Sequence, residues 1–161
     1  MPVLELPDFA ASLPRYAAVC GLDLGEKTIG VAVSDVTRSI ASPFDTIRRK
    51  KFTSDVQVLF DLMKTREAMA LIIGLPVNMD GTEGPRCQSC RSFARNLLGI
   101  RDLPIAFWDE RLSTSAVNRF MIGEDMTRAR RAELVDRAAA SWILQGALDR
   151  LRTLDVSPGA D

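Results

Sequence analysis

Histidine is absent from this chain of 161 residues. That excludes Ser-His-Asp and Cys-His catalysis, histidine zinc sites and imidazole proton shuttles. Any chemistry must run on carboxylates, lysine, cysteine or a bound cofactor. Cysteine is scarce as well: Cys20 stands alone in an apolar run, and Cys87 and Cys90 form a single C-x-x-C. Without histidine or a second cysteine pair, that motif cannot complete a tetrahedral zinc site. It opens a stretch with helical character, as a redox dithiol would, but it lacks the other surroundings of such motifs, and two incidental thiols fit better. An odd cysteine count and an opening Met-Pro-Val-Leu-Glu-Leu-Pro-Asp without a signal-peptide pattern fit a reducing cytosol, so a soluble, cytoplasmic protein is expected. No apolar run approaches the roughly 20 residues needed to cross a bilayer, and no membrane partner is expected. Net charge is missing too, with 21 basic residues against 21 acidic. Any attraction to nucleic acid must therefore come from local patches.

What is present suffices for one globule. The length suits one compact domain, and the 47% of hydrophobic residues can fill its core without a disulfide or structural metal. Pro2, Pro7 and Pro14 predict an irregular amino-terminal arm over residues 1–15, with Leu4, Leu6 and Phe9 available to dock on the core. A single domain is expected over 16–152, and a mobile tail over 153–161. Apolar, β-branched runs at 17–24, 29–34 and 40–47 predict three strands joined by short turns, with Pro43 marking an edge or a bulge. Phe52, Val56, Leu59, Phe60 and Met63 recur at helical spacing. A strand over 68–73, a helix over 85–98 stopped by Gly99, and a strand over 105–108 come next. Helical stretches over 114–122 and 128–151 follow. Three consecutive strands on short turns are antiparallel neighbours, whereas strands separated by helices return in parallel. The expected fold is α/β: a mixed five-stranded sheet, three antiparallel strands plus two parallel, with helices on both faces.

Three acids fall where acids are expensive or useful. Asp23 lies in the first strand, on a side shared with Val19 and Gly21, in a stretch that should be almost wholly buried. A buried carboxylate needs a cation, a set of donors or a metal ion; a structural acid bonded to backbone amides meets that need equally well. Glu110 follows the strand Ile105-Ala106-Phe107-Trp108 at its carboxyl end, where open α/β sheets place their sites. Asp136 flanks the apolar stripe Val135, Ala139, Trp142, Ile143 and Gly146 of the last helix; taken alone it is an ordinary acid paired with Arg131 or Arg137. Taken together, the three can converge on one point and bind divalent cations through oxygen. A carboxylate cluster without histidine favours Mg²⁺ or Mn²⁺ over zinc. Two such ions can activate water and stabilise the leaving oxygen of a phosphodiester without a protein nucleophile.

The segment Gly21-Leu22-Asp23-Leu24-Gly25-Glu26-Lys27-Thr28-Ile29-Gly30-Val31-Ala32-Val33-Ser34-Asp35 resembles the opening motif of the YqgF family, also called pre-16S ribosomal RNA nucleases or Holliday-junction-resolvase-like proteins. Three later blocks agree in order: Ile73-Gly74-Leu75-Pro76 through Asn78-Met79-Asp80-Gly81 and Glu83-Gly84-Pro85-Arg86; Asp109-Glu110-Arg111-Leu112-Ser113-Thr114; and Val135-Asp136-Arg137-Ala138-Ala139. The resemblance implies a ribonuclease-H-like fold. It also implies Asp23, Glu110 and Asp136 as catalytic, metal-binding acids, and Lys27, Arg86, Arg111, Ser113 and Thr114 as contacts to nucleic acid. The activity it implies is hydrolysis of phosphodiester bonds in structured nucleic acid, with maturation of the 5′ end of pre-16S ribosomal RNA ahead of branched DNA.

Basic residues are unevenly spread. Arg48-Arg49-Lys50-Lys51 is one run, Arg86, Arg91, Arg95 and Arg101 another, and Arg128, Arg130, Arg131 and Arg137 a third. They can clamp phosphates or simply form solvated faces. Two rivals stand beside the nuclease. One is an actin-like or sugar-kinase phosphotransferase, whose phosphate hairpin resembles Asp23 to Gly30, although 161 residues cannot build its two domains. The other is a non-catalytic module that binds RNA or the ribosome and transcription machinery. Oligomeric state is not legible in the sequence.

Overall fold

The computed structural model describes residues 2–112 and 128–155, with the side chains of 128–137 and 155 left aside. A short helix, α1 (Leu6–Ala11), precedes strands β1 (Ala18–Leu24), β2 (Thr28–Ser34) and β3 (Ala41–Arg48). Helix α2 (Phe52–Thr65), strand β4 (Ala68–Leu75), helix α3 (Pro85–Leu98) and strand β5 (Ile105–Asp109) follow. A single 3₁₀ turn, Glu110–Leu112, ends the first described stretch, and a long helix, here α4 (Arg128–Asp155), makes the second. The expected helix over 114–122, together with Ser113 and Thr114, lies outside the described residues.

The strands form one sheet in the order β3-β2-β1-β4-β5. β1 runs antiparallel to β2, as does β2 to β3, while β4 and β5 continue parallel to β1. This is the mixed sheet expected from the element order. Pro43 satisfies both of its readings: β3 is an edge strand, and its register against β2 slips between Val31 and Ala32, which face Asp45 and Pro43.

Period-two alternation sends alternate residues to two separate cores. Cys20, Leu22 and Leu24 of β1, Leu71, Ile73 and Leu75 of β4, and Ile105 of β5 pack with α2 and α3 on one face. Val19, Ala70, Ile72, Ala106 and Trp108 point the other way and are covered by Ala140, Ile143, Leu144, Ala147 and Leu148 of α4. Each large apolar side chain so buried contributes about 1.5–3 kcal/mol. Asp23 belongs, by parity, to the α4 face, while Glu110 stands just past β5 in the 3₁₀ turn.

Small residues let α4 sit close on that face. A Cβ on Gly21 would stand 2.7 Å from the Leu144 Cβ and 3.2 Å from the Ala140 carbonyl oxygen, and one on Gly74 would meet Ile143 at 2.5 Å. Gly146 makes the converse gap, leaving room for the Trp108 ring 3.0 Å from where its Cβ would be. The Trp108 indole N–H is buried there without a hydrogen-bond partner among the described residues.

Two local expectations need correcting. The arm expected to be irregular carries α1, because Pro7 occupies the first turn, where a missing N–H costs nothing. Phe9 of that helix is fully buried in the α4-side core, and the Leu4 N–H donates to the Ile105 carbonyl at 2.8 Å. The last helix continues through residues 153–155 of the expected tail, and Leu154 packs against the core; residues 156–161 lie outside the described set.

Candidate active site

The sheet delivers two of the three expected acids to one end. Asp23 is the penultimate residue of β1, with Gly30 as its β2 partner, and Glu110 is the first residue after β5. The register Leu22 with Ile73, and Gly74 with Trp108, makes Asp23 level with Trp108, two residues before Glu110. Both side chains are half-buried. Cys90 of α3 reports their proximity electrostatically. Its thiol is pushed up to about 11, chiefly by burial, then by Cys87 and by the negative charges of Glu110 and Asp23, against a lowering by Arg86. Cys90 also lines a cleft with Leu24 and Gly25, the two residues that follow Asp23.

The third acid enters by its backbone alone. Asp136 lies in α4 one turn before Ala140, whose carbonyl touches the Gly21 position two residues before Asp23. The Asp136 side chain lies outside the described residues. Among the described residues no group of three His, Cys, Asp or Glu side chains forms a metal site.

The donor chemistry at this end is that of a hard cation. Asp23 and Glu110 offer carboxylate oxygens, and the nearby sulfurs stay protonated: burial raises the Cys87 thiol as well, with Glu83 and Glu110 adding to the effect. Oxygen donors without thiolate or imidazole suit Mg²⁺ or Mn²⁺. Cys20, pushed up to about 12 by burial, is inert for the same reason. All three cysteines are free and buried, which fits the reading of Cys87 and Cys90 as incidental thiols.

Arg111, which the resemblance implies as a contact to nucleic acid, is paired with Asp109. Asp109 accepts from the Arg111 backbone N–H at 2.9 Å and from the guanidinium at 2.7 Å through Nη2 and 3.1 Å through Nε. This pairing holds the Asp109 carboxyl below its usual range. Arg111 Nη1 also donates to the Met79 carbonyl at 3.4 Å, so the arginine ties the loop after β4 to the end of β5. That loop is shaped by Asp80, which accepts from the Thr82 hydroxyl at 2.6 Å and the Thr82 N–H at 2.9 Å, and by Gly81 at a φ of 90° that favours glycine. Lys27 is exposed in the β1–β2 turn and Arg86 is exposed at the start of α3.

Sequence reasoning did not separate Arg49 from the basic run around it. Its Nη1 donates to the Gly25 carbonyl at 2.7 Å and its backbone N–H to Lys27 at 2.8 Å. It is therefore folded onto the turn that follows Asp23, while Arg48, Lys50 and Lys51 are exposed.

Residues 17–150 match the RuvX family, described as Holliday junction resolvase. A protein of Phenylobacterium zucineum named "Putative pre-16S rRNA nuclease" is 67% identical over 156 residues, covering 96% of this chain and all of that protein. A protein of the same name from Rhodospirillum rubrum is 65% identical over 152 residues, covering 94% of each. Among solved structures, RuvC of T. thermophilus in complex with a Holliday junction substrate aligns with a TM-score of 0.52 at 11% identity, covering 86% of this chain and 98% of that one. At that identity the likeness shows a shared fold, the ribonuclease-H-like arrangement the sequence resemblance implies.

Proposed function

The chain belongs to the RuvX family, also called YqgF, and from that premise we propose that it is a metal-dependent nuclease of structured nucleic acid, maturing the 5′ end of pre-16S ribosomal RNA. The observation that supports this reading is the sheet register, which puts Asp23 near the carboxyl end of β1 and Glu110 directly after the parallel strand β5, at the same end of the sheet. The family name leaves branched DNA as the alternative substrate.

In this reading Asp23, Glu110 and Asp136 hold Mg²⁺ or Mn²⁺. A bound ion pair of this kind supplies an activated water and neutralises charge on the leaving oxygen. The chain's own part is positioning. β1 would hold Asp23 near its end, the turn after β5 would hold Glu110, and α4, seated on Gly21 and Gly74, would supply Asp136 from one turn before Ala140. Arg111, held by Asp109, keeps the β4–α3 loop beside Glu110. Lys27, Arg86, Arg111, Ser113 and Thr114 are the proposed contacts to the nucleic-acid backbone. The reaction takes place in the cytoplasm on ribosomal RNA precursors, and needs no membrane; no described helix is long and apolar enough to cross one.

The test is cleavage of a precursor ribosomal RNA fragment and of a four-way DNA junction, each in Mg²⁺, in Mn²⁺ and in chelator. Wild type is expected to cleave the RNA with either metal and not in chelator, and Asp23→Asn and Asp136→Asn to lose at least about tenfold of the rate. Preference for the junction would favour the resolvase reading. Equal rates in wild type and both variants would sink the assignment.

A further inference from the structure

Between the β1–β2 turn and the start of α3 lies a cleft of about 230 Å³ whose lining includes Gly25, Glu26, Arg49, Arg86, Ser89 and Cys90. We propose that this cleft binds a backbone phosphate of the nucleic acid next to the one being cleaved, with Arg49 and Arg86 as its cationic ligands. This rests on the nuclease reading and adds a second anchoring point to the same site.

Its place is set by two neighbours. Leu24 and Gly25 in its wall directly follow Asp23, and Cys90 in its wall is the thiol that feels both Asp23 and Glu110. A phosphate here would lie beside the turn that directly follows Asp23.

Arg49 is held for the task. Its backbone and one guanidinium N–H are fixed on the β1–β2 turn. The adjacent Lys50 N–H donates at 3.0 Å to Asp55, a buried carboxylate in the first turn of α2. A guanidinium has five N–H donors, so most of those on Arg49 stay available after the Gly25 bond. This half-buried, anchored arginine loses little freedom on taking a ligand, which distinguishes it from a solvated surface cation.

Arg86 is placed against the local field. Helix α3 begins at Pro85, with Gly84 as an N-cap that makes no side-chain bond and no acidic residue in its first turn. The amino-terminal end of a helix carries partial positive charge and favours anions, yet Arg86 brings another cation to its second position. Arg91, Arg111 and Arg152 are each held by a carboxylate, Glu83, Asp109 and Asp149 respectively, whereas the hydrogen bond of the Arg49 guanidinium goes to a backbone carbonyl. Two arginines and an uncapped helix end around one cleft are an arrangement completed by an anion. Glu26, exposed in the same wall, opposes that anion and limits its affinity.

Binding is read by fluorescence anisotropy with a fluorescein-labelled RNA hairpin and a labelled four-way DNA junction. Titrations are run over a range of salt concentrations, in chelator and again in Mg²⁺ with cleavage stopped by Glu110→Gln. Arg49→Ala and Arg86→Ala should each weaken binding about tenfold and lower the slope of log K against log salt by about 1. Arg49→Lys and Arg86→Lys should keep the slope, and Glu26→Gln should tighten binding. Arg15→Ala, at the opposite end of β1, should change nothing. Circular dichroism of Arg49→Ala checks the fold, and Arg86→Ala, at an exposed position, carries the test if that variant unfolds. If wild type binds and both alanine variants match it in affinity and slope, the cleft is not a phosphate site and the nuclease reading stands. If neither wild type in chelator nor Glu110→Gln in Mg²⁺ binds either probe, both fall together.

Discussion

Replacing Gly21 with alanine should damage both stability and activity, and the size of each effect follows from contacts of α4. The new Cβ would meet the Leu144 Cβ at 2.7 Å and the Ala140 carbonyl oxygen at 3.2 Å. Carbon atoms prefer about 3.5–4.0 Å, and neither neighbour can rotate away, because one is attached to the α4 backbone and the other is part of it. The helix must therefore lift by about 1 Å. Overpacking of this kind costs about 1–3 kcal/mol; with a backbone that has to move, about 2–3 kcal/mol is expected, equivalent to a fall in Tm of about 4–12 °C. Gly74→Ala supplies the control. Its Cβ would meet only side-chain atoms, Ile143 Cδ1 at 2.5 Å, Cγ1 at 3.1 Å and Cγ2 at 3.3 Å, and none of the α4 backbone; at either glycine alanine also stiffens the unfolded chain by about 0.4–1 kcal/mol. That variant should cost less than Gly21→Ala. Lifting α4 also moves the Asp136 backbone relative to Asp23, and a 1 Å misplacement of catalytic groups can cost about a hundredfold in rate. Urea denaturation and initial cleavage rates, measured on the same preparations, check both effects. A Gly21→Ala protein as stable and as active as wild type would refute this account of how α4 is seated.

The three thiols should resist iodoacetamide in the native protein at neutral pH and react together once it is unfolded, since burial raises all three; rapid labelling of Cys87 or Cys90 by mass spectrometry would reinstate a redox role for the pair. Asp35 accepts from the Ser39 and Ile40 N–H groups at 2.8 and 3.0 Å and from the Thr37 hydroxyl, and these bonds lower its pKa from 3.8 to about 2. A lowered folded-state pKa favours the folded form above the unfolded value and is lost as pH falls through the folded one. The stability advantage of wild type over Asp35→Asn should accordingly be full above about pH 4 and shrink toward pH 2; a gap that widens on acidification would contradict the assignment. Asp55→Ala leaves the Lys50 N–H without its acceptor and should cost about 1–3 kcal/mol, while Asp55→Asn, which keeps an oxygen there, should cost less; equal losses in urea denaturation would mean that charge, not the hydrogen bond, is what matters.

Much of the framework was legible because one signal dominated each element. Alternation in β1 and β4 separated the two cores, and the change from short turns to intervening helices separated antiparallel from parallel strands. Asp23 and Glu110 were legible as acids at the ends of apolar strands. Helix α1 escaped because six residues are too few to show a period, and Pro7 looks like a breaker unless the first turn is known to begin there. Arg111 lies beside both Asp109 and Glu110 in sequence, so its pairing with Asp109 is visible only once the 3₁₀ turn directs its side chain. Arg49 is hidden among four consecutive cations, and only the fold shows it turned back onto Gly25. The match between Trp108 and Gly146 joins residues far apart in the chain, where no local pattern reaches.

The central claim is that the carboxylates of Asp23, Glu110 and Asp136 form one binding site for divalent cations. Calorimetric titration of Mn²⁺ into wild type, Asp23→Asn, Glu110→Gln and Asp136→Asn examines it without nucleic acid. The account predicts saturable binding by wild type and at least about tenfold weaker binding by each variant, since each loses a direct ligand. Unchanged Mn²⁺ affinity in all three variants would contradict it.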